Sequence, residues 1–230
     1  MTPTHRPITS TETTHRRMLA IETSGAACSV ALAGGPDIIS SHTHYVPHVH
    51  DRLLATMVER MMGDHELTWD GVDAVAVSSG PGSFTGLRIG ISLAKAICMS
   101  GRPKLVGVPT LPALAAEAAT RHVSDDVSRI VVAYPSQRGQ LYAQIFDRHG
   151  AEQTEAVLIA SGDFHVLVND GTFVCSTAAL PEVSAVRFAV IPMRADYLVP
   201  LASRMLERGQ VQDSDSFVPL YVQDFVPKTS

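Results

Sequence analysis

The residues best placed to do chemistry lie between 78 and 90, in the run SSGPGSFTGLRIG. Gly80, Gly82 and Ser83 stand where an apolar stretch gives way to a long amphipathic one, the pattern of a strand handing over to a helix. Such a loop presents backbone N–H groups at the positive end of a helix dipole, which suits phosphate or another anion. The spacing G-P-G-S-F-T-G is not the G-x-G-x-x-G dinucleotide fingerprint, and no Lys-Ser or Lys-Thr follows as in a P-loop. The same residues have a structural use: Gly80-Pro81-Gly82 makes a turn, and Ser83 or Thr85 caps the helix. Gly80, Gly82 and Ser83 are thus read as a vestigial phosphate loop, with a plain turn and cap as the alternative.

The other ionisable clusters offer less. Residues 41–50, SHTHYVPHVH, hold four histidines, and His44 and His48 have H-x-x-x-H spacing. That spacing holds a metal when both rings lie on one helix face. Pro47 intervenes and the residue before a proline avoids helix, so a solvated strand end is expected and no metal ligand is assigned. A phosphotransferase needs carboxylates to hold Mg²⁺. The first hairpin turn offers Glu22 beside Thr23 and Ser24; the second, Tyr134-Pro135-Ser136-Gln137-Arg138-Gly139, offers none. No Ser–His–Asp or Cys–His arrangement selects a nucleophile. No catalytic residue and no cofactor is expected.

These residues must be positioned by a mixed α/β chain. Residues 18–23 and 27–33 read as strands joined by a Ser24-Gly25 turn, with a third near Asp37–Tyr45. A helix over 51–62 places Leu53, Leu54, Met57, Val58, Met61 and Met62 on one side, with Gly63 as its stop. A strand over 72–78 leads into the glycine loop and a helix over about 84–100. A strand at Lys104–Val108 and a helix from Pro109 to about 121 follow. The second half repeats strand, turn, strand at 129–134 and 140–147. Further strands are expected near 152–159, 172–176 and 185–191, and helices near 161–168 and 194–208. Two halves that each open on a hairpin point to a duplicated fold. The lobes are set at 18–122 and 123–216, joined through the polar connector RHVSDDVS, with 217–230 packing back on the first lobe.

The helix after the loop is apolar around much of its circumference. At about 100° per residue, Gly86, Gly90 and Ala94 form a small-residue ridge flanked by Leu87 and Ile91, and only Arg88, Ser92 and Lys95 make a polar strip. A small-residue ridge lets a second helix approach closely. With the Met-rich helix beside it, Leu53, Met57, Met61, Gly86, Leu87, Gly90, Ile91 and Ala94 are expected to form a face for a partner or a second copy. The alternative is that both helices are buried within the monomer.

Composition narrows the classes. The chain has 230 residues, a formal net charge of −5, a pI near 6.0 and a mean hydropathy of +0.12. No basic stripe is visible, which disfavours tight, direct binding of nucleic acid. No apolar run reaches the roughly 18 to 20 residues of a membrane span. Cys28, Cys98 and Cys175 lie in or beside apolar runs without disulfide or metal spacing, as reduced core cysteines of a cytoplasmic protein would. Residues 1–17 are rich in Thr and Ser, lack the apolar core of a secretory signal and read as a disordered tail.

Four segments taken together, MLAIETSGAACSVAL, SSGPGSFTGLRIGISLAKAI, VGVPTLPALA and RGQLYAQIF, resemble the TsaB (YeaZ) family, bacterial subunits required for threonylcarbamoyladenosine on tRNA. The resemblance is close over residues 18–146 and loose beyond. It implies an α/β, two-lobed actin-like ATPase (ribonuclease H-like, ASKHA) fold with duplicated mixed sheets flanked by helices. It implies a non-catalytic scaffold that partners and activates the catalytic paralogue TsaD, with the ATPase TsaE, in forming N6-threonylcarbamoyladenosine at position 37 of tRNAs reading ANN codons. In that picture TsaD carries the metal and tRNA is met only through the complex. TsaD docks on the first two helices, which match residues 51–62 and 84–99, and the same face makes a homodimer when the subunit is alone. The chain departs from the family's usual residues in having Glu22 for Asp, Pro135-Ser136-Gln137 for Asp-Ala-Arg, Gln223 for Arg, and His48-Val49-His50-Asp51 where His-Ser-Glu is usual. Two other classes stay open: an active enzyme, either an ATP-dependent kinase-like protein or a metallopeptidase of the glycoprotease group, and a purely structural homodimer.

Overall fold

In β1 (Arg17–Glu22) the side chains alternate, Leu19 and Ile21 to one face, Met18 and Ala20 to the other, and all four are buried. A strand buried on both faces must sit inside a sheet. In the computed structural model, which describes residues 16–46, 49–99, 101–136, 139–180 and 187–220, it is the central strand of five. β2 (Cys28–Gly34) and β3 (Asp37–His44) continue from it as an antiparallel meander, and β4 (Ala74–Gly80) and β5 (Lys104–Pro109) lie parallel to it on the other side. The order is β3-β2-β1-β4-β5.

The two faces of this sheet are covered by different material. α1 (His50–Asp64) and α2 (Phe84–Cys98) pack over Leu19, Ile21, Val30, Leu32, Val75 and Val77. The opposite face is built from alanines, Ala20, Ala31, Ala33, Ala74 and Ala76 among them, so neighbouring elements can come close. α3 (Thr110–Arg121) lies there with Leu111, Ala113, Leu114, Ala115 and Ala118 fully buried, packed against both sheets.

The second sheet repeats the first. β6 (Arg129–Pro135), β7 (Gln140–Asp147) and β8 (Val157–Ala160) form an antiparallel meander. β9 (Thr172–Ser176) pairs parallel to β6, and β10 (Arg187–Val190) parallel to β9. The order β10-β9-β6-β7-β8 is the first sheet's order with each strand replaced by its counterpart. Two mixed five-stranded sheets flanked by helices give the two-lobed, actin-like fold. Topology thus carries a duplication too weak to read in the residues of the two halves.

Several expectations change in detail. Gly63 does not stop α1, which runs to Asp64. Glu66 turns the chain instead, with φ at 51°, and the Leu67 N–H returns to the Met62 carbonyl at 2.9 Å. The helix expected at 161–168 is a 3₁₀ segment, Ser161–Leu167, whose Phe164 fills the outer face of the second sheet. The helix expected at 194–208 is a 3₁₀ turn, Ala195–Leu198, leading into α4 (Val199–Glu207). The strand near 152–159 shrinks to Val157–Ala160. β1 takes in Arg17, and the Arg16 carbonyl accepts from Gly35 N–H at 2.9 Å, so the expected tail overlaps the fold at its end; residues 1–15 lie outside the described residues.

The chain also returns to the first lobe earlier than residue 217. Ala195, Leu198, Val199 and Ala202 cover the alanine face of the first sheet, because α3 alone does not shield it, and the Ala195 N–H donates to Ser29 Oγ at 3.1 Å. From there Gln212 bridges to Leu105, the Phe217 ring lies over Gly107, and the Leu220 N–H donates to the Ser79 carbonyl at 2.7 Å. A Cβ on Gly107 would come within 2.4 Å of that ring, so only glycine lets it sit there. The remainder of the expected strap, 221–230, lies outside the described residues.

The strap therefore contributes to the first lobe's stability. Phe217→Ala is expected to cost about 2 kcal/mol, below the usual loss for a fully buried phenylalanine because the ring is partly exposed. A lowered urea midpoint with an unchanged slope checks it.

Candidate functional site

α2 begins where the glycine loop predicts. Ser83 caps it, its Oγ accepting from Gly86 N–H at 3.2 Å. The rest of the loop is engaged by the chain itself. The Ser83 N–H donates to the Ser24 carbonyl at 2.6 Å, and the Leu87 N–H donates to the Ser83 carbonyl at 2.8 Å. Gly80 has φ of +112°, and a Cβ there would lie 2.8 Å from the Leu220 carbonyl oxygen. A Cβ on Gly82 would lie 2.7 Å from Ser24 Cβ and from its carbonyl oxygen. These glycines admit the β1–β2 turn and the C-terminal strap, and the Ser83 and Gly86 N–H groups are bonded to protein.

The ridge on α2 has a similar occupant. A Cβ on Gly86 would stand 2.0 Å from the Thr23 carbonyl oxygen, and one on Gly90 would stand 2.2 Å from Thr23 Oγ1. Thr23 Oγ1 donates to the Gly86 carbonyl at 2.8 Å. The turn after β1 thus lies directly on the helix backbone. Across the lobe junction, the Tyr134 hydroxyl of β6 donates to the Ser24 carbonyl, the same oxygen that receives Ser83 N–H. Thr23, Ser24 and Tyr134 form a junction that no motif in the sequence announced. The available signal was two glycines four residues apart on a helix that follows a short strand turn.

Between the lobes lies an open cleft of about 1140 Å³. Its walls are the turn 24–27, the loop and first turn of α2 at 82–86, Tyr45, His50 and Asp51 at the start of α1, and Tyr134–Ser136 from the second lobe, with further residues of both lobes. Among the described residues no lysine or arginine lines it, and Asp51 is its carboxylate. Glu22 is not part of the wall. It is 0% exposed, and its Oε1 accepts from Ser24 N–H. Burial raises its pKa above the ordinary carboxylate value, against smaller opposing effects of nearby Ser24 and Ser78. A carboxyl enclosed in this way does not present itself to a metal or a nucleotide in the cleft.

The eight residues expected at a partner face are placed inside the chain, with one exception. Met57, Met61, Ile91 and Ala94 belong to the core between α1, α2 and the first sheet, Leu87 is buried against Gly80, and Gly86 and Gly90 are buried beneath Thr23. Leu53 alone is half-buried. Helical periodicity located the packed side of each helix correctly, but that side faces the monomer's own sheet. The outward side of α2 carries half-buried Ile89 and Leu93, exposed Ala96, and at its two ends exposed Phe84 and Met99. The Arg88 guanidinium stacks on the Phe84 ring at 3.8 Å.

His42 and His44 lie on β3, His48 falls outside the described residues, and His50 opens α1 with its Nε2 3.1 Å from the Ala27 carbonyl oxygen. The three cysteines are buried free thiols, and desolvation pushes both Cys28 and Cys98 up to about 11. They stay protonated and unreactive at neutral pH. No helix among the described residues is long and apolar enough to cross a membrane.

Comparison with known proteins agrees with this architecture. Residues 43–171 match the family model described as TsaD: tRNA N6-adenosine threonylcarbamoyltransferase. The chain is 28% identical over 227 residues to the tRNA threonylcarbamoyladenosine biosynthesis protein TsaB of Escherichia coli (strain K12), covering 91% of this chain and 96% of that one. It is 30% identical over 146 residues to the protein of the same name from Buchnera aphidicola subsp. Schizaphis graminum, covering 61% of this chain and 68% of that one. The solved structure of YeaZ from Pseudomonas aeruginosa, 24% identical, superimposes with a TM-score of 0.75 over 89% of this chain and 100% of that chain.

The junction and the cap differ in what they cost to disturb. Gly86→Ala forces a methyl against a backbone oxygen that cannot rotate away, and is expected to destabilise by about 3 kcal/mol or more. Ser83→Ala removes one cap and is expected to cost about 1 kcal/mol. Denaturant titration of the two variants separates them, and equal losses would remove the special role of the Thr23 contact.

Proposed function

The chain belongs to the TsaB family, and from that premise we propose that it acts in the biosynthesis of threonylcarbamoyladenosine on tRNA as a cytoplasmic, non-catalytic scaffold. It partners and activates TsaD, together with TsaE, in forming N6-threonylcarbamoyladenosine at position 37 of tRNAs reading ANN codons. It meets tRNA through that complex and pairs with a second copy when alone. The observation that carries the reading is the fate of Glu22. The carboxyl at the first hairpin turn, where a kinase-like enzyme of this plan would hold Mg²⁺, is 0% exposed and bonded to its own turn. The second hairpin has no carboxylate to replace it.

The same geometry supports a docking face on the outer surface of the first lobe. Once the Gly86–Gly90–Ala94 ridge is filled by the β1–β2 turn and the sheet, the surface left for TsaD or a second copy is the outward side of the α1–α2 pair. It is built on Leu53, Ile89, Leu93 and Ala96 between Phe84 and Met99. An apolar strip rimmed by polar residues such as Thr56, Arg60, Arg88 and Ser92 has the anatomy of a protein interface.

Two measurements test this. In a reaction with cognate TsaD, TsaE, ATP, bicarbonate, threonine and tRNA, modification is expected to require this chain; equal modification without it sinks the reading. Ala96→Glu places a charge on the exposed strip without touching the core. It is expected to weaken association with TsaD at least tenfold while the melting temperature holds, as read by calorimetry and light scattering. Leu87→Arg would not serve, because Leu87 is a core residue whose replacement unfolds the lobe.

A further inference from the structure

The C-terminal strap begins with a turn that its own residues build. The Asp213 carboxylate accepts from the Asp215 N–H at 3.4 Å, the Ser216 N–H at 3.2 Å and the Ser216 hydroxyl at 2.6 Å. The Asp213 carbonyl accepts from the Phe217 N–H at 3.0 Å. The turn presents two further carbonyls to α2, and Lys95 Nζ donates to both, Asp215 and Phe217, at 3.1 Å each. Beyond this tie the strap is fixed by the Phe217 ring over Gly107 and by the Leu220 N–H on the Ser79 carbonyl.

Lys95 fixes which flank of α2 the strap follows. At about 100° per residue, Lys95 stands within about 20° of both Phe84 and Arg88 around the helix. Ile89 and Leu93, which pack against the core that α1 shares, lie roughly 120° to 160° further round. α2 is thus a ridge with the strap along one flank and the Leu53 strip along the other. Of the eleven large apolar side chains exposed among the described residues, four belong to this ridge and strap: Phe84, Met99, Val218 and Leu220. Each is half exposed or more, while Phe217 between them packs inward. Exposed apolar side chains gathered in one place mark an interaction surface; scattered singly they do not.

We propose that the strap is the second wall of the partner face: a protein docked on Ile89, Leu93 and Ala96 straddles α2 and lays apolar side chains on Val218 and Leu220, with Lys95 as the positioning residue that holds this wall in place. The inference rests on the reading that the outward side of α1 and α2 docks TsaD, and it continues that surface across Phe84 and Arg88. α2 carries Arg88 and Lys95 and no acidic residue. The partner's matching surface is therefore apolar with a carboxylate opposite Arg88.

The test titrates the full chain with cognate TsaD by calorimetry. Val218→Glu is expected to weaken association about tenfold or more while the melting temperature holds, because the side chain is exposed. Ala96→Glu reads the docking of TsaD on α2 by itself. Loss in both variants supports the second wall. Loss with Ala96→Glu alone overturns it and leaves the docking reading standing; loss with neither overturns both, and loss with Val218→Glu alone overturns the straddle. Arg88→Glu is expected to weaken association as much, and unchanged association there overturns the acidic partner surface. Lys95→Met removes both strap hydrogen bonds. In the free chain it is expected to lower hydrogen-exchange protection of the Leu220 amide about tenfold and to weaken TsaD binding, with Lys95→Arg restoring both. Weakened binding with Leu220 protection unchanged would put Lys95 in direct contact with the partner and overturn its positioning role.

Discussion

Thr23 and α2 meet backbone to backbone. The Thr23 carbonyl and hydroxyl occupy the space that side chains on Gly86 and Gly90 would fill, and the hydroxyl closes the contact by donating to the Gly86 carbonyl. A hydrogen bond from a side-chain hydroxyl to a backbone carbonyl is strongest where water is excluded, and this one is buried. It sets how deeply α2 sits on the first sheet. It also sets where Ser83 can cap that helix and where the Ser24 carbonyl points. From that carbonyl the constraint passes to Tyr134 and hence to the second sheet. The glycine loop, the first hairpin and the lobe junction are parts of one packing arrangement.

That arrangement changes the chemistry expected of a two-lobed α/β protein. The cleft between the lobes is present and roomy, and a helix N-terminus opens beside it. Yet the Ser83 and Gly86 amides are bonded to the chain, the described walls lack lysine and arginine, and Glu22 is enclosed behind the turn. The Ser24 carbonyl at the cleft receives both Ser83 N–H and the Tyr134 hydroxyl, so polar groups there hold the two halves of the chain together. The apolar surface it leaves outside lies on α1 and α2, where a protein can cover it.

Most of the first lobe was legible in the residues. Strand alternation at 18–23 and 27–33, a helix cap at Ser83 or Thr85 and the helical period of 84–100 all rest on local geometry, which a sequence records directly. The second lobe was less so. Its hairpin was visible, but the segment 161–167 folds as 3₁₀ turns and residues 195–220 return to the first lobe. Where an element docks depends on which distant face lacks cover, and the alanine face of the first sheet is known to lack it only once that sheet has formed.

The residues by themselves determined that α2 would bury a ridge of Gly86, Gly90 and Ala94, because a period of 3.6 places them on one side of any helix. They left residues 80–83 between a vestigial phosphate loop and a turn with a cap from Ser83 or Thr85, and they determined that the second hairpin would bring no carboxylate. Only the tertiary structure decided what fills the ridge. It chose the chain's own Thr23 and first sheet over a partner's helix, and so moved the free surface to the opposite side, around Leu93 and Ala96. It also decided that Glu22 faces inward. Periodicity fixes the angle of a side chain about its own helix or strand; the identity of the surface it meets depends on contacts between residues such as Thr23 and Gly86, sixty-three positions apart in the chain.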